Sequence, residues 1–174
     1  MTAPAPPAVL PAALRELLDR QAITDLLQRY CRAVDRLDKP LARSVFHPGA
    51  EADFSPVYKG DAQGAIDFVF ASHARVLRVS HQIGTTIVTF GEDGKTAGSE
   101  AAFHSTARFL VDDQLTQLDI WGRYLDRWSQ RDGRWAIDRR RTVFDFDETR
   151  PVTGSMGSPD VSRDRADPSY EVLA

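Results

Sequence analysis

The residues able to move a proton are few: four histidines, His47, His73, His81 and His104, set among ordinary surface acids. His81 opens an alternating run, SHQIGTTIVTF. Asp35 closes an amphipathic run, ITDLLQRYCRAVDRL, on the flank of its apolar stripe. If the fold brings these two together, the carboxylate accepts from one ring nitrogen, fixes the tautomer and leaves the other nitrogen as a base. Such a base removes an acidic C–H beside a carbonyl and can return the proton to a departing hydroxyl, a syn elimination needing neither metal nor nucleotide. The same contact would also serve as a plain buried hydrogen bond joining a helix to a sheet, and spacing alone does not choose between the two.

Other side chains could complete a site. The hydroxyl of Tyr30, near the helical stripe, or of Tyr58, in a following loop, could polarise a carbonyl as an oxyanion-type donor. His104 shares a strand face with Glu100, Thr106 and Arg108, either holding a leaving hydroxyl or belonging to a polar outer face. Arg140, in the run Arg139-Arg140-Arg141, could anchor a carboxylate or phenolate; strict alternation sets it opposite Trp135 and Ile137, and a bulge would reverse that. His47 and His73 read as structural. Cys31 has no base near it in sequence, which argues against a nucleophile.

The elements that must position these groups are set by periodicity. Apolar residues at helical spacing run from Leu14 to Leu37. Asp38 can cap a short second helix to about residue 46, with Pro40 tolerated in its first turn and His47-Pro48-Gly49 as a stop. Residues 51–54 form a short strand, and Asp61 can cap a third helix over residues 62–77. The period then changes to two. Four long strands are expected, over residues 80–90, 95–111, 118–130 and 134–146, turned at GEDG, Asp112-Asp113 and RDGR. On the first of these, His81, Ile83, Thr85 and Ile87 share one face, and Gln82, Gly84, Thr86 and Val88 the other. Helices followed by long antiparallel strands give an α+β domain, and a sheet curled over the helices leaves a conical cavity suited to a ligand.

Composition bounds the rest. The chain has 174 residues, enough for one domain with a real core. A net charge of −3 offers no footprint for nucleic acid or an anionic membrane, and no apolar run reaches a membrane span. A single cysteine excludes an intrachain disulfide and fits a reducing cytoplasm, so a cytoplasmic location is expected. The start, MTAPAPPAVLPAAL, lacks the basic and continuous apolar regions of a secretory leader. The expected division is a flexible tail over residues 1–12, a domain over 13–148 and an extended tail over 149–174. Neither zinc-type spacing nor a glycine-rich phosphate loop appears, so no metal or cofactor is expected.

Four segments, LLDRQAITDLLQRYCRAVDRLD, SHQIGTTIV, GRYLDRW and RDGRWAIDRRR, in this order of elements, resemble the SnoaL-like branch of the nuclear transport factor 2-like superfamily, over residues 14–146. The resemblance implies a cone-shaped, cystatin-like fold with a strongly curved antiparallel sheet wrapped around N-terminal helices. Asp35 in AVDRLD and His81 in SHQIGTT match the Asp–His dyad of the scytalone dehydratase, bile-acid dehydratase and hexachlorocyclohexane dehydrochlorinase group. Tyr30 stands where that group often has Tyr or Lys. His104 matches a second histidine of some members, and Arg140 an arginine lining several of their pockets. The resemblance further implies a cofactor-independent lyase or isomerase, foremost a dehydratase acting on a steroid- or polyketide-like carbonyl compound. The resemblance and the residues together give His81, Asp35 and Tyr30 as expected catalytic residues, with His104 and Arg140 binding substrate; Tyr58 joins the substrate-binding set from the residue reading alone. A ketosteroid-type isomerase, a polyketide cyclase, a carrier of a small hydrophobic molecule and a module that assembles through its sheet are the alternatives. A homodimer or homotrimer is expected through the outer sheet face.

Overall fold

The computed structural model describes residues 11–154, 157 and 161–173. Most of the tail expected at the start therefore lies outside the described residues, and helix begins at Ala12. α1 (Ala12–Asp35) is one continuous helix that buries Ile23, Leu27, Tyr30, Cys31, Ala33 and Val34. It stops because Leu37 takes φ 53°, letting the Asp38 N–H reach back to the Ala33 carbonyl at 2.9 Å. Asp38 then caps α2 (Lys39–Ser44), accepting from the Leu41 N–H at 3.1 Å. Asp61 caps α3 (Ala62–His73) in the same way, through the Gly64 N–H at 2.8 Å. α3 ends at His73, four residues short of the expected 77, and the chain turns at once toward the sheet.

Six strands form one sheet in the order β2-β1-β6-β5-β4-β3. They are β1 (Phe46–Phe54), β2 (Tyr58–Asp61), β3 (Arg78–Phe90), β4 (Thr96–Val111), β5 (Gln114–Arg131) and β6 (Arg134–Pro151). All pair antiparallel except β1 with β6, which is parallel. His47-Pro48-Gly49 lies inside β1 rather than ending a helix. Proline is accommodated there because the β1–β6 register breaks between Phe46 and Glu51. Tyr58 belongs to β2, not to a loop. The expected turns hold, with Asp112 and Asp113 at φ 48° and 61° and Asp132 and Gly133 at φ 52° and 77°, the backbone of tight hairpins.

The sheet curves over α1 and carries the core on its concave side, where Trp128 and Trp135 are buried. Their indole N–H groups donate to Ser99 Oγ at 2.8 Å and Asp19 Oδ1 at 2.7 Å. Trp121 lies on the convex side instead, stacked between His104 and Phe146.

Three bulges decide which side chains face inward. β3 gains a residue at Gly84–Thr85, so His81 and Ile83 face in and then Val88, not Ile87: Ile87 is 60% exposed and Val88 6%. β6 gains Asp138, which puts Arg140 on the inner face with Ile137, and then Asp145, which keeps Phe144 in and sends Phe146 out. The tail after the expected domain end is not wholly extended either. β6 continues to Pro151, and a short helix, α4 (Ser169–Val172), comes after it. No helix among the described residues is long and apolar enough to cross a membrane.

Candidate active site

α1 ends on Asp35 because helix geometry stops there, and β3 begins three residues before His81. The two elements pack together, and the Asp35 carboxylate takes both polar hydrogens of His81. Its Oδ1 lies 2.7 Å from His81 Nδ1, and its Oδ2 accepts the His81 backbone N–H at 3.0 Å. The carboxylate can only accept, so Nδ1 carries the hydrogen and Nε2 is left as the base. The side chains are 8% and 13% exposed for His81 and Asp35.

His81 opens onto a cavity of about 550 Å³. Its walls are largely apolar, with Val34, Phe54, Phe68, Phe103, Ile120 and Phe144 among them. Phe103 lies flat against Tyr124, ring centroids 4.4 Å apart. Gly122 allows this, because a Cβ there would come 2.7 Å from the Phe103 ring. The polar side chains on the cavity wall are few: His73, Ser72, Ser105, Tyr30, Tyr124, Thr142 and Asp147 beside His81. Ser105 is directly across from His81 on β4, and Asp147 lies further along the same row, opposite Ile120.

His73, read from the sequence as structural, is at the cavity. It closes α3, lines the cavity and stacks on His81, with ring centroids 5.4 Å apart. Its Nδ1 donates to the Val69 carbonyl at 2.7 Å, leaving Nε2 as an acceptor. Burial, then the neighbouring His81, push its pKa down from 6.5 to about 4. His73 is therefore neutral at pH 7. The only signal in the sequence was its place in the apolar stripe of α3, in which Val69 and His73 line the cavity while Ile66 and Phe70 enter the core.

A profile of the SnoaL-like domain matches residues 15–141, most of the chain. The chain belongs to the SnoaL-like domain family. Solved structures agree on the fold. A candidate scytalone dehydratase from Novosphingobium aromaticivorans superposes with a TM-score of 0.70 at 15% identity, over 86% of this chain and 99% of that one. The hexachlorocyclohexane dehydrochlorinase LinA-type3 from Novosphingobium barchaimii gives 0.70 at 20% identity, over 85% and 99%. An NTF2-like protein with a cystatin-like fold, from Novosphingobium aromaticivorans, gives 0.58 at 21% identity, over 76% and 86%. No curated protein matches the chain.

Within this SnoaL-like fold the remaining candidates fall in different places. Tyr30 lines the cavity and is buried, which raises its pKa and keeps the phenol protonated despite the opposing charge of Arg140. Arg140 faces inward but stands behind the wall. Its guanidinium holds Asp126 through Nε at 2.8 Å and Nη2 at 2.7 Å, with both side chains fully buried. It also sits 4.4 Å from the Tyr30 ring and 4.1 Å from the Tyr124 ring. Burial works against its charge, but Asp126 more than offsets this and raises its pKa. The expected ligand contact gives way to a structural one, because Asp126 takes the Nε–Nη2 edge of Arg140 and the side chain is fully buried behind the cavity wall.

Tyr58 is likewise outside the cavity wall. Its hydroxyl donates to the Asp61 carbonyl at 3.1 Å, and its ring packs on Phe68. His104 is on the convex face, with Nε2 3.2 Å from Asp119 Oδ1. His47, on β1, bonds the Ser129 carbonyl at 3.0 Å. Cys31 is buried, which pushes its thiol up to about 12 and makes it a poor nucleophile. Among the described residues no group of His, Cys, Asp and Glu is arranged to hold a metal.

Proposed function

We propose that this chain is a cofactor-independent lyase, foremost a dehydratase, acting on a cyclic hydrophobic carbonyl compound of steroid or polyketide type. The observation that carries this reading is the 2.7 Å Asp35–His81 contact, nearly buried and opening onto an apolar cavity of about 550 Å³. That volume suits a small ligand of a few fused rings.

In this reading His81 Nε2 takes the proton from a carbon next to the substrate carbonyl. The electron pair left on that carbon forms the new double bond, and the C–O bond to the neighbouring hydroxyl breaks. The imidazolium returns its proton to the leaving oxygen, so water departs and His81 is restored. Asp35 holds the ring in the required tautomer and stabilises the imidazolium while it lasts. Tyr30, a protonated phenol, is the donor to the carbonyl oxygen as charge develops there. Neutral His73 accepts from the substrate hydroxyl through Nε2 and keeps that group beside His81. Ser105, directly across from His81, is a second partner for the same hydroxyl.

A carrier of a small hydrophobic molecule is the rival, favoured by the scarcity of polar groups on the wall. The two separate on a panel of cyclic β-hydroxy ketones, with loss of water tracked by absorbance and ligand affinity by calorimetry. The dehydratase reading expects turnover that His81→Ala lowers by ~10²–10⁴-fold and Asp35→Asn also lowers, while both variants still bind and fold. Binding without turnover in every protein, the parent included, would leave only the carrier. The convex aromatic row, in which His104 and Trp121 are half-buried and Phe146 is exposed, supports a homodimer or homotrimer through that face, which light scattering of the purified chain would test.

A further inference from the structure

We infer that Arg163, on the C-terminal segment, is a positioning residue of this site: it ties together the ends of the two helices that carry Asp35 and His73. The last carbonyls of a helix lack intrahelical partners and bear the negative end of its dipole, so they are natural ligands for a guanidinium. α1 ends on Asp35 and α3 on His73. Arg163 Nε donates to the Asp35 carbonyl at 3.2 Å, and Nη1 donates to the carbonyls of His73 at 2.7 Å and Val76 at 3.0 Å. One planar group thus spans both helix ends and the loop leading into β3, where His81 stands. A rigid fork fixes the distance between the groups it joins, which a flexible ammonium does not.

The segment that carries Arg163 is itself fastened to the end of α1. Arg36 pairs with Asp167 at 3.1 Å, Arg32 donates to Ser169 Oγ at 2.8 Å and lies over the Tyr170 ring, and the Tyr170 hydroxyl donates to Asp38 Oδ2 at 2.9 Å. Helix ends fray when nothing holds them, and fraying here would pull the Asp35 carboxylate from His81. The guanidinium is half-buried, drawn toward Asp35 and opposed by Arg78 and Arg36, and its positive charge adds to the burial that keeps His73 neutral.

The inference rests on the acid–base reading of the site, but it can be tested with no substrate. Two nuclear magnetic resonance signals of the full chain report on it: hydrogen exchange of the His81 Nδ1–H proton, and the titration midpoint of His73. Arg163→Ala is expected to speed that exchange at least tenfold and to move the His73 midpoint upward, with the melting temperature little changed. Arg163→Lys keeps the charge but not the fork, so it is expected to restore the His73 midpoint and leave exchange fast. Glu171→Gln, an exposed change on the same segment, is expected to alter neither signal. Slow exchange retained in either Arg163→Ala or Arg163→Lys would overturn the clamp. If Arg163→Ala does not fold, the exchange rate in Arg163→Lys decides alone. A chain found to have no turnover would defeat the proposed activity and leave both signals unchanged.

Discussion

Each face of the sheet carries a histidine paired with an aspartate, from α1 on the concave face and from β5 on the convex face, and the two pairs differ in what surrounds them. On the concave face Asp35 takes the ring N–H and backbone N–H of His81, a residue that lines the cavity. On the convex face Asp119 accepts from His104 at 3.2 Å, but also from Thr106 Oγ1 at 2.6 Å, Gln117 Nε2 at 2.8 Å and Arg150 Nη1 at 3.1 Å. Burial works against its charge there, yet the donations from Gln117, Thr106 and His104 hold its pKa below the usual carboxylate value. His104 is one of four partners, and its ring lies flat on Trp121. The contrast lies in how the carboxylate is shared: Asp35 accepts from His81 alone, beside a largely apolar cavity, whereas Asp119 gathers four side-chain donors.

The largest effect should appear in turnover. His81→Ala should lower the rate of elimination by ~10²–10⁴-fold, the contribution of a positioned general base, whereas His104→Ala should stay within about threefold of the parent. Initial rates on one cyclic β-hydroxy ketone test both, and equal losses would dissolve the distinction between the faces.

Next is the pH dependence of stability. The unfolded chain binds a proton on His73 near pH 6.5, while the folded chain refuses it until about pH 4. Stability contributed by a neutral buried His73 is therefore lost as pH falls from about 6.5 toward 4, by up to about 3 kcal/mol. Urea unfolding at pH 7 and pH 4.5 measures this, and His73→Phe should flatten the slope over that window. A slope unchanged in His73→Phe would mean that the residue is not held neutral.

The smallest effect concerns the folded state alone. Asp119→Ala should cost about 2 kcal/mol, because it leaves several donors without their shared acceptor. Asp35→Asn should cost less than about 1 kcal/mol, because an amide can still accept from the His81 backbone N–H. Chemical denaturation of the two variants compares them directly; a larger loss at Asp35 would recast the concave pair as structural.

Much of this arrangement was legible in the sequence, and the limits have a physical cause. Helix ends were marked by capping acids, Asp38 and Asp61, and hairpins by Asp112-Asp113 and RDGR, so the order of elements could be read. The Asp35–His81 contact was readable from a helix that ends on an acid and a strand that opens on a histidine, taken with the family resemblance. Arg140 was not readable, because alternation cannot register the extra residue at Asp138 that carries it inside, nor reveal Asp126 as its buried partner. Tyr58 and His104 have the right chemistry, but a strand start and a convex face keep them from the cavity. His73 looked like a core residue because a cavity wall and a core share the same apolar stripe. Arg163 lies beyond the matched region, in a stretch whose composition carries no periodicity at all.

The extra residues at Gly84–Thr85, Asp138 and Asp145 have a consequence for ancestry and for design. Each works as a parity gate: remove one, and every side chain downstream on that strand exchanges inside for outside with the downstream sequence unchanged. A lineage built on this scaffold can thus re-equip its hollow by shifting frame as readily as by replacing letters, and two such chains compared column by column would equate residues that point in opposite directions.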